Sequence, residues 1–244
     1  MRNIWTIFKR EFRGYFITPI AYVFIAIFVF LSGIFAFYIG GFFDRAQADL
    51  QAFFNFHPWL YLFLIPALAM RLWAEERRGG TIELLLTLPL TMTQTVIGKF
   101  AAAWAFTGIA LSLTFPMWIS VNYLGEPDNG VILASYIGSF LMAGGFLAIG
   151  SCISALTKNQ VIAFVLSAVV CLIFVLAGFP VVLNFFSVFA PEVVVNTISS
   201  FSFLSHFEDI SKGVIDLRDF IYFVSLIAFW LFANVLIVDL KKAD

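Results

Sequence analysis

The sequence predicts an all-α integral membrane protein with six transmembrane helices, and three observations carry that prediction. Of 244 residues, 62% are hydrophobic and only 12% charged, with a mean hydropathy of +0.99; soluble domains carry about 25% charged residues. Six stretches, at 20–43, 58–73, 96–124, 131–156, 161–183 and 220–240, approach or exceed the roughly 20 apolar residues that cross a hydrocarbon core at 1.5 Å each. They are apolar on all faces rather than alternating toward a lumen, which favours helices over a barrel. The third observation is charge. With six crossings, one side of the membrane holds Arg2, Lys9, Arg10, Arg13, Arg71, Arg77, Arg78, Lys99, Lys158, Lys241 and Lys242, and the other only Arg45, Lys212 and Arg218. The positive-inside rule then puts both termini and the 75–90 segment in the cytosol of a bacterial inner membrane protein. Most acidic residues, Asp128, Glu192, Glu208, Asp209, Asp216 and Asp219 among them, face outward, and the net charge of −1 gives no footprint for a nucleic-acid partner.

Taken in order, the chain begins with Trp5, Phe8, Phe12 and Tyr15 at helical spacing, with Arg2, Lys9, Arg10 and Arg13 on other faces. This is the pattern of an amphipathic helix lying in the interface over residues 1–18 and touching the lipid bilayer. The apolar run from Ile20 is longer than a signal-peptide core and lacks a small-x-small cleavage site, so it reads as a retained helix. Thr18 and Pro19 supply an N-cap and a first-turn proline.

The second crossing ends at Arg77 and Arg78, favourable at a helix C-terminus, with Gly79 or Gly80 free to take the left-handed cap conformation. Thr81 can cap a two-turn helix through Glu83, Leu84, Leu85 and Leu86 that Pro89 ends, and Thr91 with Gln94 fits a capping box for the third crossing. Such a leucine-rich helix needs cover. Headgroups, its own bundle or a partner protein would each supply it, the last because charges at Glu75, Glu76, Arg77 and Glu83 rim the apolar surface.

Further along, Pro116 can kink the third crossing, and Gly144, Ala148 and Cys152 make a small-residue row suited to close helix contact within the bundle or between copies. Cys152 and Cys171 lie in different crossings and read as packing residues. Asn122, Asn184 and Asn234 suit either a pathway lining or interhelical hydrogen bonds. The 184–219 stretch is too polar to cross again yet too apolar for open solvent, and dips into the outer leaflet. Pro191 can open a helix there, Gly213 can stop one, and Asp216 can cap the sixth crossing.

The segment LWAEERRGGTIELLLTLPLT at 72–91 resembles the cytosolic coupling-helix region of ABC-2 type exporter permeases, in which the loop reads E-x-x-x-G-T-x-E-x-L-L-x-x-P. Glu76, Gly80, Thr81, Glu83, Leu85, Leu86 and Pro89 occupy the corresponding places. KREFRGYFITPIAYVF from Lys9, LTKNQVIAF from Leu156 and SHFEDISKGVIDLRDFIYF from Ser205 are similar to the gliding-motility permease subgroup. The resemblance implies a single ABC-2 transmembrane domain with an N-terminal interfacial helix, a coupling helix at 75–90 and an external re-entrant region at 184–219, in which Phe201, Phe203 and His206 are gate candidates. It also implies two ABC ATPase subunits on the cytosolic face, a second permease protomer that is the same chain or a related one, and room for an outer-side or additional membrane subunit. Leu84, Leu85 and Leu86 would then fill a groove on the ATPase while the flanking charges set register.

No G-x-x-x-x-G-K-[ST] occurs; the only Gly-Lys pair, Gly98-Lys99, sits inside a crossing and is followed by Phe100. ATP and Mg²⁺ are therefore expected on the partner ATPase, with no cofactor bound by this chain. Ion-coupled transport lacks its usual mid-membrane ionisable groups, since Arg71, Lys99 and Asp239 fall near the cytosolic ends where they can snorkel. An intramembrane enzyme lacks both H-E-x-x-H and G-x-S-x-G; His57 and His206 fit polar roles at helix boundaries, with no metal set around them. Two functions remain: the permease subunit of an ATP-driven exporter, and mechanical transmission to an outer-side partner without translocation.

Overall fold

The computed structural model describes residues 2–45, 47–80, 90–213 and 216–241. The described residues are helical or connecting, in an all-α membrane protein. An amphipathic helix α1 (Arg2–Ile17) precedes α2 (Pro19–Ile34), which widens into a π-helical turn at Phe35–Ile39. The second crossing is built from α3 (Gln51–Phe54), α4 (His57–Ala69) and α5 (Arg71–Gly79), and the third from α6 (Met92–Ser112) and α7 (Phe115–Leu124). Then come α8 (Asn129–Ser154), α9 (Gln160–Leu176), α10 (Pro180–Phe189), α11 (Glu192–Ser199), α12 (Phe203–Ser211) and α13 (Leu217–Leu240). Among the described residues, five continuous stretches are long and apolar enough to cross a bilayer, and a sixth results if α9 and α10, bent by 71°, count as one span.

The fourth crossing, α8, is the hub, packing against α4, α6, α9, α12 and α13. It can do so because it is thin: a Cβ on Gly145 would stand 2.8 Å from the Phe203 ring, and one on Gly150 would stand 2.5 Å from Ala69. In lipid, where apolar burial no longer drives association, such close approach and interhelical hydrogen bonds hold helices together. Gly144 of the small-residue row meets Trp104 and Ile227 of this same chain, the intramolecular use. Its serines do the polar part. The helical ladder breaks at Met70, and Ser154 Oγ enters the gap, donating to the Met70 carbonyl at 2.8 Å while accepting the Trp73 and Ala74 amides at 3.2 and 3.1 Å. Ser151 Oγ accepts from Trp73 Nε1 at 3.3 Å and from Asn234 Nδ2 at 2.7 Å. Backbone groups freed inside a membrane are thus satisfied by side chains.

Several ends are set by the residues the sequence singles out. Gly80 takes φ 68° after α5, and Gly213 takes φ 89° after α12. Thr91 and Gln94 form the reciprocal capping box of α6, and Asp216 accepts the Arg218 amide at 3.1 Å to start α13. Other expectations change. Thr18 has the extended backbone of an N-cap, but its hydroxyl turns back to the Tyr15 carbonyl at 3.1 Å instead of capping α2. The third crossing is two helices rather than one, broken at Leu113 and Thr114 with Pro116 in the first turn of the second, and Tyr136 donates to the Thr114 carbonyl at 3.2 Å. The fifth stretch turns at Gly178, where a Cβ would lie 2.1 Å from Ser202 Oγ. Asn122 pairs with Asn129 on the exposed side, whereas Asn234 is fully buried.

Candidate functional site

One end of the bundle gathers α1, the last turns of the second crossing and the first turns of the third. Gly98 makes that possible: a Cβ there would sit 2.8 Å from Ile7 Cγ2, so its absence lets α1 lie directly on α6. One helical turn after Ile7, on the same face, comes Glu11, and next to Gly98 comes Lys99. Lys99 Nζ lies 2.7 Å from Glu76 Oε1 and 3.4 Å from Glu11 Oε2, with the Trp73 ring centroid at 5.4 Å. Lys99 is 2% exposed, and the two carboxylate side chains about a fifth. Arg10 holds Glu11 from the other side at 2.5 Å, and Arg71, one turn earlier on α5, pairs with Glu75 at 2.7 Å.

A lone buried ammonium would cost several kcal/mol in desolvation. Two carboxylates and an aromatic face offset that cost here. Burial pushes the Glu11 carboxyl up, but the charges of Lys99 and Arg10 outweigh it and hold the group below the ordinary carboxylate range. Burial raises Tyr15, whose ring stacks on Phe106 at 5.0 Å. The snorkelling expected of Lys99 does not occur: its chain turns inward because carboxylates on two other elements wait there. A lysine beside a glycine in an apolar run, with unbalanced glutamates at 11, 75 and 76, was the available signal.

Of the residues read as docking, Glu75 and Glu76 sit in these ion pairs, Arg77 lies on the last turn of α5 and Gly80 ends it. Thr81, Glu83, Leu84, Leu85, Leu86 and Pro89 lie outside the described residues. Trp5, Phe8 and Phe12 form a stacked run with centroids 5.0 and 5.4 Å apart. Gly80 and Thr91, on either side of the residues not described, end α5 and start α6, and the Lys99 cluster ties these two helices to each other and to α1.

At the opposite end, His206 Nδ1 stands 2.6 Å from Asp219 Oδ1 and Nε2 stands 3.0 Å from the Ser200 carbonyl. Both neighbours are acceptor groups, and together they hold the ring by its two nitrogens. It stacks on Tyr222 with centroids 3.9 Å apart, and Tyr222 donates to the Phe201 carbonyl at 2.7 Å. Both His206 and Asp219 are buried, 6% and 3% exposed, where the sequence reading left them at a solvated boundary. Among the gate candidates, Phe203 is fully buried against Phe146 at 4.7 Å and Phe201 is more than half exposed. His57, the other histidine, is buried too, sharing Ser139 Oγ with Tyr61, each contact 2.7 Å.

Comparison with known proteins adds two relatives. The chain is 34% identical over 87 residues to the probable multidrug ABC transporter permease YbhS of Escherichia coli strain K12, and equally to that of strain O157:H7. Each match takes in 36% of this chain and 22% of the relative's length. The model of the ABC-2 family transporter proteins matches residues 5–238, nearly the whole chain, and the protein belongs to that family as a multi-pass membrane permease.

Proposed function

We propose that this chain is the transmembrane subunit through which a separate ATPase drives export, and that 75–90 is where the ATPase docks. The observation that supports this most is the Lys99 cluster, because it ties both arms of the 81–89 segment to the interfacial helix. In this reading the Lys99 end is cytosolic, two ATPase subunits bind below two permease protomers, and Leu84, Leu85 and Leu86 make the apolar contact. Nucleotide-driven closure moves that segment, and the ion cluster carries the motion into α1, α5 and α6. At the far end α11 and α12 respond, with Phe203 and His206 as their anchors and Phe201 on the open side. The motifs at 9–24, 156–164 and 205–223 support placing the chain near the gliding-motility permeases, while the matched relatives' multidrug description bears on their cargo.

The test is co-purification. Replacing Leu85 and Leu86 by Asp is expected to release a P-loop ATPase from the solubilised native complex while the permease stays in the membrane and keeps its elution volume. An ATPase that still co-purifies in full overturns docking at this segment.

A further inference from the structure

Two cavities meet between α1, α2 and the second crossing. One, about 420 Å³, is lined by the charged side chains of Glu11, Glu75, Glu76, Arg71 and Lys99 and by Gly79. The other, also about 420 Å³, is an apolar trough with Ala21, Phe24 and Leu68 as its buried floor and Ile20, Val23 and Ile27 on its exposed rim. They share Tyr15, Thr18, Arg71 and Glu75, so they form one continuous cleft. The rim from Ile20 to Ile27 runs about 10 Å along α2 at 1.5 Å per residue, the reach of a medium stretch of acyl chain.

The cleft's charges come in an order. Met70 lines only the trough, Arg71 and Glu75 both halves, and Glu76 and Glu11 only the polar half. The Arg71–Glu75 ion pair thus stands at the junction with the apolar part, and Glu11 and Glu76 line the space beyond it with Lys99 between them. Glu75, with side-chain exposure of 48%, and Arg71, with 29%, are the accessible members, whereas Lys99 is enclosed by its partners. An amphiphile that complements this order has a tail, then a phosphate, then a primary amine.

We propose that this cleft binds a phospholipid with a phosphoethanolamine headgroup: an acyl chain in the trough, the phosphate on Arg71, and the ammonium donating to Glu75 and its neighbouring carboxylates. A choline head has no N–H to donate, and a glycerol head brings no cation to balance its phosphate among three carboxylates. The site shares Glu75 and Glu76 with the proposed docking segment, but lipid binding there requires no ATPase.

Native mass spectrometry of the purified permease in detergent, offered equimolar phosphatidylethanolamine, phosphatidylglycerol and phosphatidylcholine with matched chains, tests this. Retention of the ethanolamine lipid is expected to exceed that of either other by about tenfold, the ratio set by 1.4 kcal/mol. Arg71→Gln with Glu75→Gln is expected to erase the preference, and Val23→Trp on the exposed rim to lower retention of all three while the protein keeps its elution volume. Equal retention of the three lipids, preference for phosphatidylglycerol, or a preference untouched by both variants marks annular lipid only and overturns the proposal.

Discussion

Lys99→Met keeps the aliphatic stem against Trp73 and removes the charge. What it leaves is Glu11 and Glu76 converging on a site without its cation, together with Arg10 on the other side of Glu11 alone. Removing one partner of a buried ion pair costs about 3–5 kcal/mol. Each carboxylate side chain here is about a fifth exposed, and that water access lowers the figure to about 2–3 kcal/mol. For a chain of this size 1 kcal/mol shifts the midpoint by about 2–4 °C, so thermal unfolding in detergent is expected roughly 4–12 °C below wild type. Adding Glu11→Gln and Glu76→Gln to Lys99→Met should recover most of that loss, since the one cation left without its carboxylate, Arg10, is more than half exposed. The pH dependence has a definite sign. Glu11 is held below its ordinary range when folded, so its contribution is complete above that range and disappears as pH falls through the folded-state value. The wild-type midpoint should therefore drop over that acidic window, and the drop should be shallower in Lys99→Met. A Lys99→Met protein that melts with wild type, or a triple variant no better than the single one, refutes the reasoning.

Other expectations follow from the same contacts. Asp219→Asn leaves the shape at the far end but removes the carboxylate that holds His206, at a cost of about 2–3 kcal/mol, the upper part of the range for a buried polar group that loses its partner; amides across α11 and α12 should exchange about 30- to 100-fold faster, read by hydrogen exchange, while α8 stays protected. Exchange unchanged in α11 and α12 would mean the pair is not what anchors them. A cysteine at Asp128 should react with an impermeant maleimide from outside intact cells, because the native thiols Cys152 and Cys171 are buried and silent; reaction only after the cytosolic face is opened would invert the topology.

The helices were legible because the membrane imposes their length and all-round apolarity, and the caps at Gly80, Thr91 and Asp216 because each satisfies a backbone group with a residue type suited to it. The breaks at Met70, Thr114 and Gly178 were not, apart from the kink suggested by Pro116. They depend on partners distant in sequence: Ser154 for the first, Tyr136 for the second, Ser202 for the third. The same holds at the candidate site. Glu75, Glu76 and the flanking motif could be read locally, whereas the burial of Lys99 required knowing that Gly98 admits Ile7 and so brings Glu11 within reach. His206 and Asp219 are thirteen residues apart and were read separately as a boundary residue and an outward-facing acid; only the packing of α12 on α13 makes them a pair.

The most direct test of the central claim, that force enters at the 81–89 segment, is photocrosslinking in native membranes. A benzophenone amino acid placed at Leu85 is compared with one at Tyr123, an exposed residue near the end of α7. The account predicts an adduct with a P-loop ATPase from Leu85 and none from Tyr123. An ATPase adduct from Tyr123, or none from Leu85 in membranes where the ATPase is present, would contradict it.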